Sequence, residues 1–384
     1  MPATVFQEKR VRNRVLALLL AVPLILPVAE AQASALRDVF KAVSGAVVMV
    51  VAESESRAAT SSDGPVAVGG VGSGVLISQD GKVLTAAHVV ESADRVRVQF
   101  AGGVVVAARV LSSDPVVDLA LLQIAYVPPY VVAARLGDSD RVEVADQVFV
   151  VGAPYGISET LSVGYISARR SPGEYSGGPV PVELFQTDAA IRPGNSGGPM
   201  FNMAGEVIGI VSHIITRSGG SEGIGFAVTA NAARQHLLEA HVLWTGLSVV
   251  RLAGELARLL NVPQPAGLLV IHSAADSPGA RLGLRTGSTP AVIGGVHLML
   301  GGDVILAVAG IPIEANSGNY RSVRERLRRL QSGEVVTITV LRGGRVVDLK
   351  ATVLPTSNSD PISVDQRLPP VQRLLAEDPA TRGR

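Results

Sequence analysis

Three features of the 384-residue sequence predict a mainly β protein of two or three domains. Short apolar runs follow one another from about Val39 to Val228, separated by Gly, Pro and Asp as strands are by turns. Glycine is abundant at 41 residues whereas Phe, Tyr and Trp number 7, 6 and 1, which suits tight turns between short strands better than long helical bundles. With 47% hydrophobic and 17% charged residues the chain can bury substantial cores, which excludes a disordered tail or a collagen-like fibre.

The first element in order is an address. Lys9, Arg10, Arg12 and Arg14 precede an apolar stretch from Val15 to Val28, and Ala31-Gln32-Ala33 offers a small-x-small cleavage site, the pattern of a secretory signal peptide over 1–33. The stretch is shorter than the roughly 20 residues of a spanning helix and holds Pro23 and Pro27; an uncleaved anchor is the alternative. The runs VVMVVA, GVLIS, KVLTAA, VRVQF, VVVAARV, LALLQIA, QVFVVG, LSVGYISA, ELFQTD, EVIGIVSHI and GIGFAV then read as strands of a barrel or sandwich. Residues 231–244, NAARQHLLEAHVLW, have helical spacing and close the first domain. A mixed region follows, with strands predicted at 247–251, 267–272, 303–309, 335–341 and 345–353. A helix is predicted near 318–330, with Tyr320, Val323, Leu327 and Leu330 on one face. From Pro355 onward the composition of Pro, Ser and charge reads as disordered.

A net charge of +1 gives no reason to expect a nucleic acid partner, and the absence of cysteine excludes disulfide scaffolds, thiolate zinc sites and cysteine nucleophiles. The chemistry lies elsewhere. Ser196 sits in GNSGGP at 194–199, where three glycines let backbone approach closely and leave amides beside an exposed hydroxyl, as a nucleophile with an oxyanion site requires. His88 ends an apolar strand in TAAHVV, and Asp118 heads another in DPVVDLALL, with Asp114 its rival. Each alone has a bland reading as a turn, core or strand-edge residue. Together the order His88, Asp118, Ser196 is that of the chymotrypsin-type triad, set in the β-rich segment that this arrangement needs.

On these residues the chain resembles the HtrA/Deg family of secreted serine proteases. The strings VGSGVLIS, VLTAAHVV, DLALLQI, VGAPYG, QTDAAIRPGNSGGP, GEVIGI and GIGFAV stand in that family's order, and the likeness runs over about 36–353. The resemblance implies a chymotrypsin-like double β-barrel protease domain followed by a PDZ domain. It implies a signal segment at 1–33, a protease domain at 34–243, a PDZ domain at 244–355 and a tail at 356–384. His88 would be the general base, Asp118 its orienter and Ser196 the nucleophile. The amides of Gly194 and Ser196 would form the oxyanion hole. No cofactor is called for.

The resemblance places the specificity pocket near Ala190, Ile191, Ser212, Ile214 and Ile215, with no acidic residue to pair a lysine or arginine; a small or medium aliphatic side chain is expected before the cut. Ser212 keeps a hydroxyl where this fold commonly bonds the triad aspartate. Arg192 stands where the family usually has Asn, and His213 where it has a small residue. In WTGL at 244–247 the amides of Gly246, Leu247 and Ser248 would receive a peptide C-terminus beside an edge strand, with Tyr320 or Val323 bordering the groove. An extra segment, RTGSTPAVIGGVHLML, interrupts the PDZ-like pattern. Five helix arginines, Arg321, Arg324, Arg326, Arg328 and Arg329, read as a solvated face, with an anionic partner as the alternative. Arg170 matches the position of the family's sensing arginine, in a loop at 169–183; a plain surface charge is the other reading. The implied protein is a homotrimeric, periplasmic or secreted endopeptidase, or one anchored to the inner membrane, that acts on unfolded, misfolded or regulatory proteins. The rival is a protease-like chaperone or PDZ scaffold that holds chains without cutting them.

Overall fold

The computed structural model describes residues 26–61, 64–91, 93–153, 160–172, 182–214, 222–239, 244–315, 318–331 and 333–352. Helix α1 (Leu26–Val43) leads into the first barrel and runs through the small-x-small segment at 31–33. Six strands follow: β1 (Val47–Ser61), β2 (Gly64–Leu76), β3 (Lys82–Thr85), β4 (Arg95–Phe100), β5 (Val105–Asp114) and β6 (Leu119–Ile124), with the one-turn helix α2 (Ala87–Val90) after β3. They close in the order β1-β2-β3-β6-β5-β4. The second set is β7 (Gln147–Gly152), β8 (Thr160–Arg170), β9 (Leu184–Thr187), β10 (Pro199–Asn202), β11 (Val207–Ile214) and β12 (Gly225–Thr229), closed as β10-β11-β12-β9-β8-β7. The mainly β, double-barrel expectation is therefore met.

Closure follows from composition. The strands are rich in Val, Ile and Leu, and a closed barrel buries one face while leaving no free edge. Val50, Val75, Val83, Leu84, Val98 and Leu122 fill the first barrel, and Val148, Val150, Ile166, Phe185, Met200 and Ile208 the second. Phe149 and Phe201 stack with centroids 5.2 Å apart and belong to the core that continues from the first barrel. Each fully buried side chain of this size contributes about 1.5–3 kcal/mol. The barrels thus share one packed seam, and the catalytic candidates lie along it.

Helix α3 (Ala230–Ala233) follows β12, and its last turn widens into a π-turn over Arg234–Leu238. The helix predicted over 231–244 is thus shorter than expected; residues 240–243 lie outside the described residues. The wide turn buries Leu237 and turns His236 toward Asp114.

The C-terminal region holds β13 (Leu247–Ala253), α4 (Glu255–Leu259), β14 (Ala266–Ser273), α5 (Pro278–Arg281), β15 (Thr289–Ile293), β16 (Val296–Leu300), β17 (Val304–Val308), β18 (Ile311–Pro312), α6 (Gly318–Arg328), β19 (Val335–Arg342) and β20 (Arg345–Thr352). One sheet runs β13-β14-β17-β19-β20 with β18 beside β17, so β13 is an edge. The interrupting segment forms the separate hairpin β15–β16, whose two-residue loop, Gly294-Gly295, has φ of 59° and 79° and therefore needs glycine.

The arginines of α6 depart from expectation at one position. Arg324 is not solvated: it reaches the barrel, where its Nη2 lies 2.6 Å from Asp114 Oδ2 and 2.5 Å from His236 Nδ1. Arg326 pairs with Glu334, and the exposed Arg329 lies 3.7 Å from Glu325. The side chain of Arg321 lies outside the described residues.

Candidate active site

His88 sits within α2, immediately after β3, rather than at the end of the strand itself. Asp118 ends the four-residue turn between β5 and β6, with φ of 55°. Left-handed backbone is uncommon for a residue with a side chain, and Asp is among the few that tolerate it. The turn aims the carboxylate at α2: Asp118 Oδ1 and Oδ2 are both 2.9 Å from His88 Nδ1, and Oδ1 also accepts the His88 backbone N–H at 3.1 Å. Ser212 Oγ donates to Oδ2 at 2.5 Å.

Ser196 comes from the second barrel, in the turn before β10. Its Oγ donates to the Ser212 carbonyl at 3.3 Å, so Ser212 links nucleophile candidate and carboxylate. The turn is pinned to the first barrel. The Ser73 N–H donates to the Ser196 carbonyl at 2.8 Å, and a Cβ on Gly197, whose φ is 82°, would strike Thr85 Oγ1 and the Ser73 carbonyl at 2.2 and 2.3 Å. Only glycine fits there, which gives the GNSGGP string a steric cause. Among the described residues the backbone amides of Gly194 and Ser196 donate to no main-chain carbonyl, whereas those of Asn195, Gly197 and Gly198 do. These are the two amides expected to face an oxyanion.

Sequence reasoning missed Ser73. Its fully buried Oγ donates to the Gly194 carbonyl at 2.7 Å and accepts the Ala153 N–H at 2.8 Å, fixing the loop that carries the free amides. The signal was present in the string GSG at 72–74, where Gly72 and Gly74 both face crowded neighbours.

The electrostatics suit proton transfer. Burial opposes a charged His88, yet the hydrogen bond and charge of Asp118 outweigh it and hold the imidazole above its usual range. Burial likewise opposes ionised Asp118, but His88 and Ser212 hold it below the usual carboxylate range. Glu91, which ends the same helical turn, is pushed up, first by burial and then by Asp118.

The outer candidates are placed as follows. Ala190 is half-buried, Ile191 is buried in the core of the second barrel against Gly225, and Ile214 packs on that core; Ile215 lies outside the described residues. Arg170 ends β8, is exposed, and donates to Gln186 Oε1 through Nη2 at 2.7 Å, while 173–181 of its loop lie outside the described residues. Gly246 has φ of 67° and packs on Ser277; Leu247 and Ser248 open the edge strand β13. Val323, Leu247 and Val249 pack against the same core cluster. The side chain of Tyr320 lies outside the described residues.

Two closed six-stranded barrels with His88, Asp118 and Ser196 on their seam define the trypsin-like peptidase class, and a family model described as a trypsin-like peptidase domain matches residues 72–210. A probable periplasmic serine endoprotease, DegP-like, of Pseudomonas putida strain W619 is 34% identical over 300 residues, 76% of this chain and 57% of its own. One from Halomonas elongata is 36% identical over 291 residues, 74% and 56% of the two chains. The solved structure of the HtrA-type protease AlgW with a decapeptide aligns with 82% of this chain and 97% of its own at 32% identity and a TM-score of 0.46. This chain belongs to the HtrA/Deg family, and it spans 57% of the length of the first of these curated relatives.

Proposed function

We propose that this chain is a serine endopeptidase of the cell envelope that cuts unfolded or regulatory proteins through an acyl-enzyme without a cofactor. The observation that carries the reading is the linked set His88–Asp118–Ser212–Ser196 beside two amides with no main-chain acceptor. In the first step Ser196 Oγ turns from the Ser212 carbonyl, gives its proton to His88 Nε2 and attacks the substrate carbonyl carbon. The oxygen of that carbonyl gains the displaced electron pair and accepts from the Gly194 and Ser196 amides. Asp118 stabilises the imidazolium, which then protonates the leaving amine; water repeats the sequence to free the acid. The periplasm fits both the basic-then-apolar leader and the naming of the relatives, with anchoring by an uncleaved leader as the variant.

The rest of the reading is architectural. A signal segment at 1–33, a protease domain at 34–243, a PDZ domain at 244–355 and a tail at 356–384 remain the assignment. The open edge of β13, entered through a glycine that must be left-handed, supports peptide C-termini adding as a further strand at Gly246, Leu247 and Ser248. Ala190, Ile214 and Ile215 would border the pocket for an aliphatic side chain over the wall formed by Ile191. A homotrimer is the assembly the family resemblance implies.

The test is labelling with a serine-directed phosphonate followed by peptide mapping, in parallel with digestion of an unfolded protein. Label on Ser196 and cleavage after Val, Ala, Ile or Leu are expected. Ser196→Ala should cut turnover by about 10⁶-fold with its melting temperature kept. Client binding without cleavage by the wild type would favour the chaperone reading.

A further inference from the structure

We propose that His213 is a positioning residue of the triad, its Nδ1–H donating to Ser212 Oγ so that the Ser212 proton is committed to Asp118. The proposal rests on the reading of His88, Asp118 and Ser196 as the catalytic set. In a regular strand successive side chains point to opposite faces, and Ser212 and His213 would not meet. Strand β11 is not regular here: its register against β12 shifts between Val211 and His213, with Val211 opposite Ala227 and His213 opposite Phe226. Such bulges re-aim side chains next to sites. This one brings His213 Nδ1 within 2.9 Å of Ser212 Oγ while Ser212 Oγ stays 2.5 Å from Asp118 Oδ2. The His213 ring is stacked on buried Phe226, centroids 5.1 Å apart and planes at 21°, which fixes its plane.

The proton count decides the direction. An ionised Asp118 only accepts, so Ser212, which has one proton, must give it to Oδ2 and offer a lone pair to His213. Nδ1 then has to carry a hydrogen. With the hydrogen on Nε2 instead, Nδ1 and Asp118 would compete for one hydroxyl proton, and the carboxylate would lose a donor in some molecules. Among the described residues the charged and titratable groups acting on His213 are Asp118 and His88. Burial lowers the His213 pKa, Asp118 opposes that and His88 adds to it. The ring is therefore neutral at neutral pH and acts by its hydrogen bond, not by its charge. The donors run from His213 to Ser212 to Asp118 and meet the Nδ1–H of His88 coming from the other side, so both arms converge on the carboxylate.

The test uses the full chain with ¹⁵N-labelled histidine. At pH 8 the ring shifts of His213 should show the Nδ1–H tautomer, and the Nε2–H tautomer overturns the proposal. Three variants follow. Asn carries its amide nitrogen as many bonds from Cα as Nδ1, whereas Gln places it one bond further. His213→Asn should keep kcat within about twofold, while His213→Gln and His213→Ala lose about five- to tenfold in kcat at unchanged KM, with a raised His88 pKa because a carboxylate with a weakened donor is more basic. A change in KM alone, or a His88 titration identical in all four proteins, would make His213 only a wall of the cleft and sink the idea. Should a variant not fold, the wild-type tautomer still decides. If Ser196→Ala cleaves like wild type, the catalytic reading has failed while the tautomer still reports on this hydrogen bond.

Discussion

Asp114 and Asp118 close the two ends of the string DPVVD and meet opposite fates. Asp114 is the last residue of β5, fully buried, with Arg324 of α6 against Oδ2 and the Val116 N–H on Oδ1 at 3.2 Å. Asp118, four residues on, adopts a left-handed backbone and turns to His88 at the barrel seam. The difference lies in the nearest partner: for Asp114 it is Arg324 at 2.6 Å, with His236 Nδ1 further off at 3.4 Å, and for Asp118 it is His88 at 2.9 Å. A guanidinium keeps its charge at every working pH, so its carboxylate neighbour can only hold two regions together. An imidazole gains and loses its proton near neutrality, so a carboxylate beside it can bias a proton transfer. One residue type at two ends of one turn therefore gives a clamp and, on the proposed reading, an orienter of the general base.

Neutralising each carboxylate in turn separates the two residues most strongly. Asp118→Asn should lower kcat by about 10⁴-fold, because the amide permits the wrong imidazole tautomer. Asn also tolerates φ of 55°, so circular dichroism and the melting temperature should hardly change. Asp114→Ala should do the reverse. It leaves the Arg324 guanidinium buried without its carboxylate, at a cost of about 3–5 kcal/mol measured as a lowered melting temperature, while the His88 titration stays in place. Asp114→Leu combined with Arg324→Met should recover most of that loss, since an apolar pair needs no desolvated charge. Equal activity loss in Asp114→Ala and Asp118→Asn, both folded, would erase the division of labour.

The two carboxylates should also differ, by less, in their effect on pH dependence. Asp118 holds His88 above its usual pKa of 6.5, and the base must be neutral to work, so kcat/KM should fall as pH drops through a value above 6.5. Asp118→Asn should move that limb to lower pH, and Asp114→Asn should leave it in place. For stability the signs are separate. The raised His88 pKa contributes stability that is full below the unfolded value and is lost as pH rises through the folded one. The lowered Asp118 pKa contributes stability present above its unfolded value and lost as pH falls through its folded one. Both contributions coexist only between the two folded pKa values.

How much of this was legible in the sequence depends on how local each cause is. The strands and the candidates His88, Asp118 and Ser196 could be picked out because turn glycines, apolar runs and the GNSGGP string act within a few residues. The choice between Asp114 and Asp118 could not be made on residues alone: the Arg324 that claims Asp114 comes from α6, where it looks like one of five solvated arginines. The role of Ser73 was marked only by its flanking glycines, since its partners Gly194 and Ala153 come from the other barrel. Burial of Ile191 in a core depends on Gly225, a contact that strand order but not spacing creates.

The smallest expected effect concerns Arg170, which tests whether a charge away from both carboxylates reaches the seam. Its guanidinium donates twice to Gln186 Oε1, at 3.2 and 2.7 Å, and Gln186 lies on β9 in the strand that runs into the Ser196 turn through Thr187, Asp188 and Ala189. That path is anchored along its length: Thr187 Oγ1 accepts the Ala189 N–H at 3.1 Å, and Asp188 Oδ1 accepts the Tyr165 N–H at 2.7 Å. A displacement of β9 at Gln186 is thus transmitted to the residues before Gly194 only as far as those anchors yield. The bond itself is exposed, and such bonds contribute little to stability. Coupling of this kind is typically about 1–3 kcal/mol when a ligand supplies it, and loss of one exposed arm of the path should sit at the low end, about fivefold in turnover. Arg170→Ala should therefore reduce peptide hydrolysis by about fivefold or less, with the melting temperature unchanged and the His88 limb where it was. Calorimetry with a C-terminal peptide should give the same affinity for both proteins. Full activity and full peptide response in the variant would assign Arg170 to the surface and leave the Gly194–Ser196 turn to its Ser73 contacts and the β9 anchors.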